Sequence, residues 1–124
     1  MPSTAFDKAK GCYDVHYLLD EVMTLAPGCD LALWLVHEDI GDFWLPWVFG
    51  AAAPNKAVVS SWRLEHVEDA AKVACHEVGH MLGLKHCESH CLMRVSRNAG
   101  EVARKPLALC GRCAGMVCGR GPST

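Results

Sequence analysis

No stretch of the 124 residues approaches the roughly 18 consecutive apolar positions that a membrane-spanning helix needs, which excludes a transmembrane helix. The opening segment, MPSTAFDKAKGCYDVHYLL, lacks a basic stretch followed by a continuous apolar region. No secretory signal is read there, and an intracellular, cytoplasmic location is expected. Excess charge of one sign is also missing. A net charge of −2 provides no attraction for nucleic acid or an anionic membrane, so neither is expected as a partner. Internal repeats, low-complexity tracts and linkers are absent, and the length suits one core, so residues 1–124 are expected to form a single domain. Cysteine, by contrast, is abundant, with eight residues. Without a secretory signal these do not read as a disulfide framework; at short spacing in a reducing compartment they read as metal ligands.

Hydrophobic periodicity predicts a helix over 13–26, where Val15, Leu18, Leu19, Val22 and Ala26 fall at helical steps and Pro27-Gly28 ends the run. Leu31 to Val36 is a short continuous apolar run, read as a strand buried on both faces. Pro46 demotes the first half of Phe43 to Ala53 to edge strand or loop, leaving Val48-Phe49-Gly50 as the strand piece. Lys56 to Leu64 is a third strand candidate. From Glu65 to Leu82 the apolar positions again recur at helical steps, and Gly83 stands where such a helix would stop. Beyond it cysteines, Pro106 and glycines dominate and no regular element is predicted. The order helix, strands, helix, irregular tail is that of an α/β domain.

The second helix carries His76-Glu77-Val78-Gly79-His80, an HExxH motif. Positions i and i+4 share a helix face, so both imidazoles can reach one zinc while Glu77 stands beside it as general base for a water activated by the metal. Chance produces HExxH on the order of 0.02 times in a chain of this composition. The segment continues as HEVGHMLGLKH, in which Gly83 lets the backbone turn and return His86 as a third ligand. Three protein ligands leave a fourth position open, which is the arrangement of a catalytic zinc.

Cys87 and Cys91 follow directly, and Cys110 and Cys113 form a second close pair. Together they offer the four thiolates of a closed structural zinc site; buried free thiols are the bland alternative, and His90 is a competing ligand. Two zinc ions, one catalytic and one structural, are therefore expected. Cys75 is expected to pack within its helix. Cys12, Cys29 and Cys118 have no partner pattern, and His16, His37 and His66 read as surface residues. Trp44, Trp47 and Trp62 are read as core or cleft-rim residues, with Phe49-Gly50 bordering the cleft.

HEVGHMLGLKHCESHCLM, followed by sixteen residues and CGRC, resembles the archaemetzincin pattern HExxHxxGxxHC, a second cysteine, x-Met and a later CxxC. WVFGAAA, AVVSSWRL and KPLALC resemble further family segments, so the likeness spans roughly residues 13–116. It implies a zincin-like α/β domain with a small mixed sheet, an active-site helix and a zinc-bound cysteine-rich C-terminal segment. It implies a metzincin-type zinc metallopeptidase acting on peptide or protein substrates, in some animal members as an aminopeptidase. By position, His76, His80 and His86 bind catalytic zinc, Glu77 is the base, and Met93 lies beneath the metal. Cys87, Cys91, Cys110 and Cys113 hold the second zinc.

Three features depart from that pattern. Only three residues separate Cys87 from Cys91, where four are usual, and the chain stops eleven residues after Cys113. No counterpart of the family's first strand is predicted in residues 1–12, so a domain shortened at both ends is expected. A catalytically silent zinc-stabilised binding module is the competing function, and a purely structural zinc ribbon is a third. Glu77 argues for the enzyme, because a silent module has no chemical use for a carboxylate there. The ribbon leaves HExxHxxGxxH unexplained.

Overall fold

The computed structural model describes residues 6–7, 11–42 and 45–118. The predicted rim residue Trp44 lies outside the described residues. Strand β1 (Phe6–Asp7) pairs with β2 (Cys12–Asp14), and β2 runs directly into helix α1 (Val15–Leu25). The Asp14 carboxylate accepts the His16 N–H at 2.9 Å and so caps the helix start. Strands β3 (Ala32–Val36) and β4 (Ile40–Gly41) follow, then β5 (Gly50–Ala53) and β6 (Lys56–Ser60), which form a tight hairpin around Pro54-Asn55. Helix α2 (Val67–Met81) comes next, and α3 (Ala99–Arg104) and α4 (Gly111–Cys118) complete the described elements. No helix among the described residues is long and apolar enough to cross a membrane.

The strands form two three-stranded mixed sheets, ordered β1-β2-β4 and β3-β6-β5, and an isolated antiparallel bridge links Ile40 of β4 to Val48, two residues before β5. β2 thus supplies a short strand before the first helix, flanked on both sides, where none was predicted. Three residues are too few to display a period, which is why the pattern was invisible.

The strand buried on both faces is β6, not β3. Successive β6 side chains point to opposite faces. Val58 enters the core formed with Val15, Leu18, Leu19 and Val22 of α1, while Val59 packs with Val73 of α2 and Val102 of α3. Among the described residues β3 pairs only with β6, and its apolar run alternates, leaving Leu33 and Leu35 exposed. An unbroken apolar run cannot by itself say which residues find a covering helix.

α3 and α4 are regular elements within the segment read as irregular. Asn98 accepts the Glu101 N–H and Glu101 in turn accepts the Arg97 N–H, a reciprocal arrangement that starts α3. Lys72, buried on α2, donates to Val102 O and Ala103 O at 3.3 and 2.9 Å and pairs with Asp69 at 3.6 Å. These bonds consume the last carbonyls of α3 and fix it against the helix that carries the HExxH motif.

Candidate metal centre

α2 ends in a Schellman turn. Gly83 has φ +95°, its N–H donates to His80 O at 3.0 Å, and the Leu84 N–H donates to Gly79 O at 2.9 Å. This turn does two things for the site. It reverses the chain so that His86 comes back beside α2, and it aims Leu84 O at the ring of His80.

The three predicted imidazoles converge. Ring centroids lie 4.7 Å apart for His76 and His80, 5.4 Å for His76 and His86, and 4.8 Å for His80 and His86. One ring nitrogen from each lies within 4.8 Å of those of the others. Nδ1 of His76 faces Leu92 O at 2.9 Å, and Nδ1 of His80 faces Leu84 O at the same distance. A carbonyl can only accept, so both Nδ1 atoms carry the proton and both Nε2 atoms present bare lone pairs. Those two Nε2 atoms face each other at 3.1 Å. Two lone pairs at that separation repel unless a cation lies between them, and the edge of a tetrahedral zinc–nitrogen site is about 3.3 Å. Burial brings His76 down to about 4, with the nearby Lys105 charge acting the same way, and desolvation lowers His86 as well. Burial thus favours the neutral form of His76 and His86, the form that binds metal.

Glu77 is only 5% exposed and lines the same cavity, of about 380 Å³, with Trp47, Phe49, Gly50, His76 and Lys105. Its Oε2 is buried without a hydrogen-bond partner among the described residues. Desolvation pushes its carboxyl up to about 7, and the Lys105 ammonium acts against that rise. Gly50 is required for this approach. A Cβ there would sit 2.9 Å from Val58 O and 3.3 Å from Cγ of Glu77. Trp47 stacks edge-on against Phe49 at 5.0 Å, and Arg63, paired with Asp39, lies 4.5 Å over the Trp47 ring, which fixes this apolar wall.

Lys105 was not anticipated. It is buried, donates to Arg94 O at 3.1 Å, and has Nζ 3.5 Å from Nδ1 of His76. The latter is a contact between two donors, since the His76 proton is already directed at Leu92 O. Lysine after a short helix carries no sequence signal of burial; only the docking of α3 on α2 encloses it.

The predicted thiols also converge, with the sulfurs of Cys87, Cys91, Cys110 and Cys113 all within 4.8 Å of one another. Cys87 and Cys110 are 3.8 Å apart, far beyond a disulfide bond of about 2.05 Å. Cys91 Sγ accepts the N–H groups of Met93 and Cys110 at 3.4 and 3.3 Å. A backbone hydrogen bond from Ser89 lowers the Cys87 thiol pKa and one from Cys113 lowers that of Cys110, while burial raises Cys113. Four sulfurs enclosed together, with N–H donors turned toward them, suit a closed thiolate site for zinc. The shortened spacing between Cys87 and Cys91 does not prevent closure, and His90 is exposed and outside the cluster. Met93 is fully buried beneath the histidine helix, as its position implied. Cys75 is exposed rather than packed, because it lies on the face of α2 opposite the sheet. His16, His37 and His66 are exposed, as expected.

Residues 59–118 match the sequence pattern of peptidase family M54. The chain is 36% identical over 114 residues to the archaemetzincin of Nanoarchaeum equitans, spanning 91% of this chain and 66% of that protein. It is 34% identical over 124 residues to the archaemetzincin of Archaeoglobus fulgidus, spanning 78% of that protein. The crystal structure of the latter, complexed with malonate, superposes with a TM-score of 0.83 over 93% of this chain and 75% of that one. The Methanopyrus kandleri archaemetzincin structure, 35% identical, gives a TM-score of 0.88 over 94% and 70%. Likeness of sequence and of backbone path thus extends well beyond the motif to the strands and helices that carry it, and this chain belongs to the archaemetzincins, the zinc metallopeptidases of family M54.

Proposed function

We propose that the chain hydrolyses peptide bonds at the His76, His80 and His86 centre, with Glu77 as general base. The observation that carries this reading is the pair of bare Nε2 atoms facing each other at 3.1 Å, with Glu77 Oε2 buried beside them and without a hydrogen-bond partner among the described residues. A zinc ion held by the three imidazoles would supply Lewis acidity toward water and the scissile carbonyl. Glu77 takes a proton from the attacking water as its oxygen bonds to the carbonyl carbon. It then delivers that proton to the amine nitrogen as the C–N bond breaks. The displaced ionisation of Glu77 near neutrality suits both halves of this transfer. Trp47, Phe49 and Gly50 border the space for an extended peptide, and N-terminal trimming is one form the activity takes in this reading.

Cys87, Cys91, Cys110 and Cys113 hold a second, structural zinc in the same reading, giving two ions in a single domain over residues 1–124. Such a cluster requires reduced thiols, which fits a reducing, intracellular compartment. The test is Glu77→Ala, assayed for zinc content and for cleavage of a mixed peptide library. Both ions should remain while hydrolysis falls by about 10²–10⁴-fold. Retention of most activity would sink the assigned mechanism, and a wild-type protein with two zincs and no cleavage would favour the silent binding module.

A further inference from the structure

A second and larger cavity, of about 740 Å³, adjoins the first. His86, Val95, Ser96, Arg97 and Lys105 border both, so the two spaces are continuous past the third histidine. Arg94, Arg97, Arg104 and Lys105 contribute four cations to the larger one, against the carboxylates of Glu88 and Glu101. This is a local positive excess in a chain whose net charge is −2. Among the described residues the ion pairs involve His16, Lys56, Arg63 and Lys72, and none of the four groove cations. Arg94 donates to a backbone carbonyl, Glu88 O, at 2.8 Å, and Lys105 donates to Arg94 O. Glu101 accepts the Arg97 backbone N–H at 2.8 Å, so it serves the start of α3. At the junction of the two cavities Ser96 Oγ is buried with no partner among the described residues.

Uncompensated guanidinium groups lining a concavity are matched by carboxylates, which they bind through paired N–H donors. The concavity opens into the space that holds Glu77, so the chain that brings the carboxylate is the one whose peptide bond reaches that space. We propose that this groove selects peptide substrates carrying a carboxylate beside the cleavage site, as an Asp or Glu side chain or as a free C-terminus. Arg94, Arg97 and Arg104 are its specificity-determining residues, and Ser96 donates a hydrogen bond at the junction. The assignment rests on the reading of the adjoining site as a peptidase, and its test separates the two.

Full-length zinc-loaded Glu77→Ala protein is titrated, by fluorescence anisotropy, with labelled peptides that it does not turn over. The set pairs Asp/Glu-containing peptides with their Asn/Gln isosteres, each as free acid and as C-terminal amide. Carboxylate-bearing peptides should bind about tenfold tighter, and that advantage should shrink as ionic strength rises from about 0.05 to about 0.5 M. Loss of the advantage on changing side chains identifies side-chain carboxylates as the source; loss on amidation identifies the C-terminus. In the same protein Arg97→Gln with Arg104→Gln should collapse the acid-to-amide affinity ratio toward one, with zinc content and melting temperature unchanged. Equal affinity for all four peptide types would overturn the proposal, as would a ratio that survives loss of both arginines in the folded protein. Carboxylate-selective binding without wild-type cleavage of any peptide would leave the groove standing and remove the peptidase reading. Cleavage blind to nearby carboxylates would do the reverse.

Discussion

Gly79 occupies one of the two unspecified positions of HExxH, yet the packing leaves it no freedom. A Cβ on this residue would lie 2.4 Å from Sδ of Met93 and 3.0 Å from its Cε, with Leu84 Cδ1 at 3.6 Å. Ordinary contact between such atoms is about 3.5–4.0 Å, so the Met93 side chain would have to withdraw by more than about 1 Å. It has no space for this, being fully buried among Leu84, Cys87, Cys91 and Cys113. Overpacking of this kind costs about 1–3 kcal/mol. Replacing a mid-helix glycine by alanine returns up to about 1 kcal/mol of helix propensity. Gly79→Ala should therefore destabilise the protein by about 1–2 kcal/mol in urea unfolding of the zinc-loaded form. The decisive comparison is the double-mutant cycle. In a Met93→Ala background, itself weakened by about 2–5 kcal/mol through the cavity it leaves, the obstructing sulfur is gone. Gly79→Ala should there stabilise by about 1 kcal/mol, so the same substitution changes sign and the coupling is about 2–3 kcal/mol. A stabilising Gly79→Ala of equal size in both backgrounds would show that the histidine helix does not rest on Met93 as described.

Two further substitutions probe the ligand geometry. Gly83→Ala should cost at least about 1 kcal/mol, because φ of +95° strains any residue with a Cβ. It should weaken zinc at the histidines while sparing the cysteine cluster, as read by metal-release titration; a more stable protein with unaltered zinc affinity would rule out the glycine turn as the device that delivers His86. Cys110→Ser should lower the melting temperature and remove about one zinc equivalent, since a closed thiolate site contributes folding free energy directly. An unchanged melt with both metals retained would show that Cys110 is no ligand.

Legibility followed the length of each pattern. α1 and α2 are 11 and 15 residues long, enough for apolar positions to recur several times, and their predicted bounds fall within two residues of the observed ones. The convergence of the candidate ligands was legible for a different reason. HExxH and the paired cysteines are local spacings on elements whose geometry is nearly fixed, so convergence followed once the helix and its terminal glycine were known. What stayed hidden depends on tertiary docking. The exposed Leu33 and Leu35 looked like core because composition does not reveal which strand two helices will cover. α3 was signalled by Asn98 and Glu101, three residues apart before Val102, but a six-residue helix cannot display a period. The burial of Lys105, and with it the cationic groove, follows only after α3 is packed against Lys72.

The histidine and cysteine clusters are not independent modules, and the backbone shows why. His86 and Cys87 are neighbours in sequence, so one peptide unit joins the third imidazole to the first thiol. On the other strand of the loop, three consecutive residues divide the work. Cys91 belongs to the thiol cluster, Leu92 O fixes the tautomer and orientation of His76, and Met93 fills the space under Gly79. The two strands are tied by the Cys87 N–H to Met93 O at 3.0 Å, and the Leu92 N–H is held by Ala108 O at 2.9 Å, just before Cys110. Displacing Cys91 would therefore move the carbonyl one residue away that orients His76, a zinc ligand in the proposed reading, without touching that ring. Carbonyls and carboxylates that hold metal-binding histidines commonly matter about 10–100-fold in metal affinity. The cysteine cluster is thus placed to preorganise the histidine site as well as to stabilise the fold.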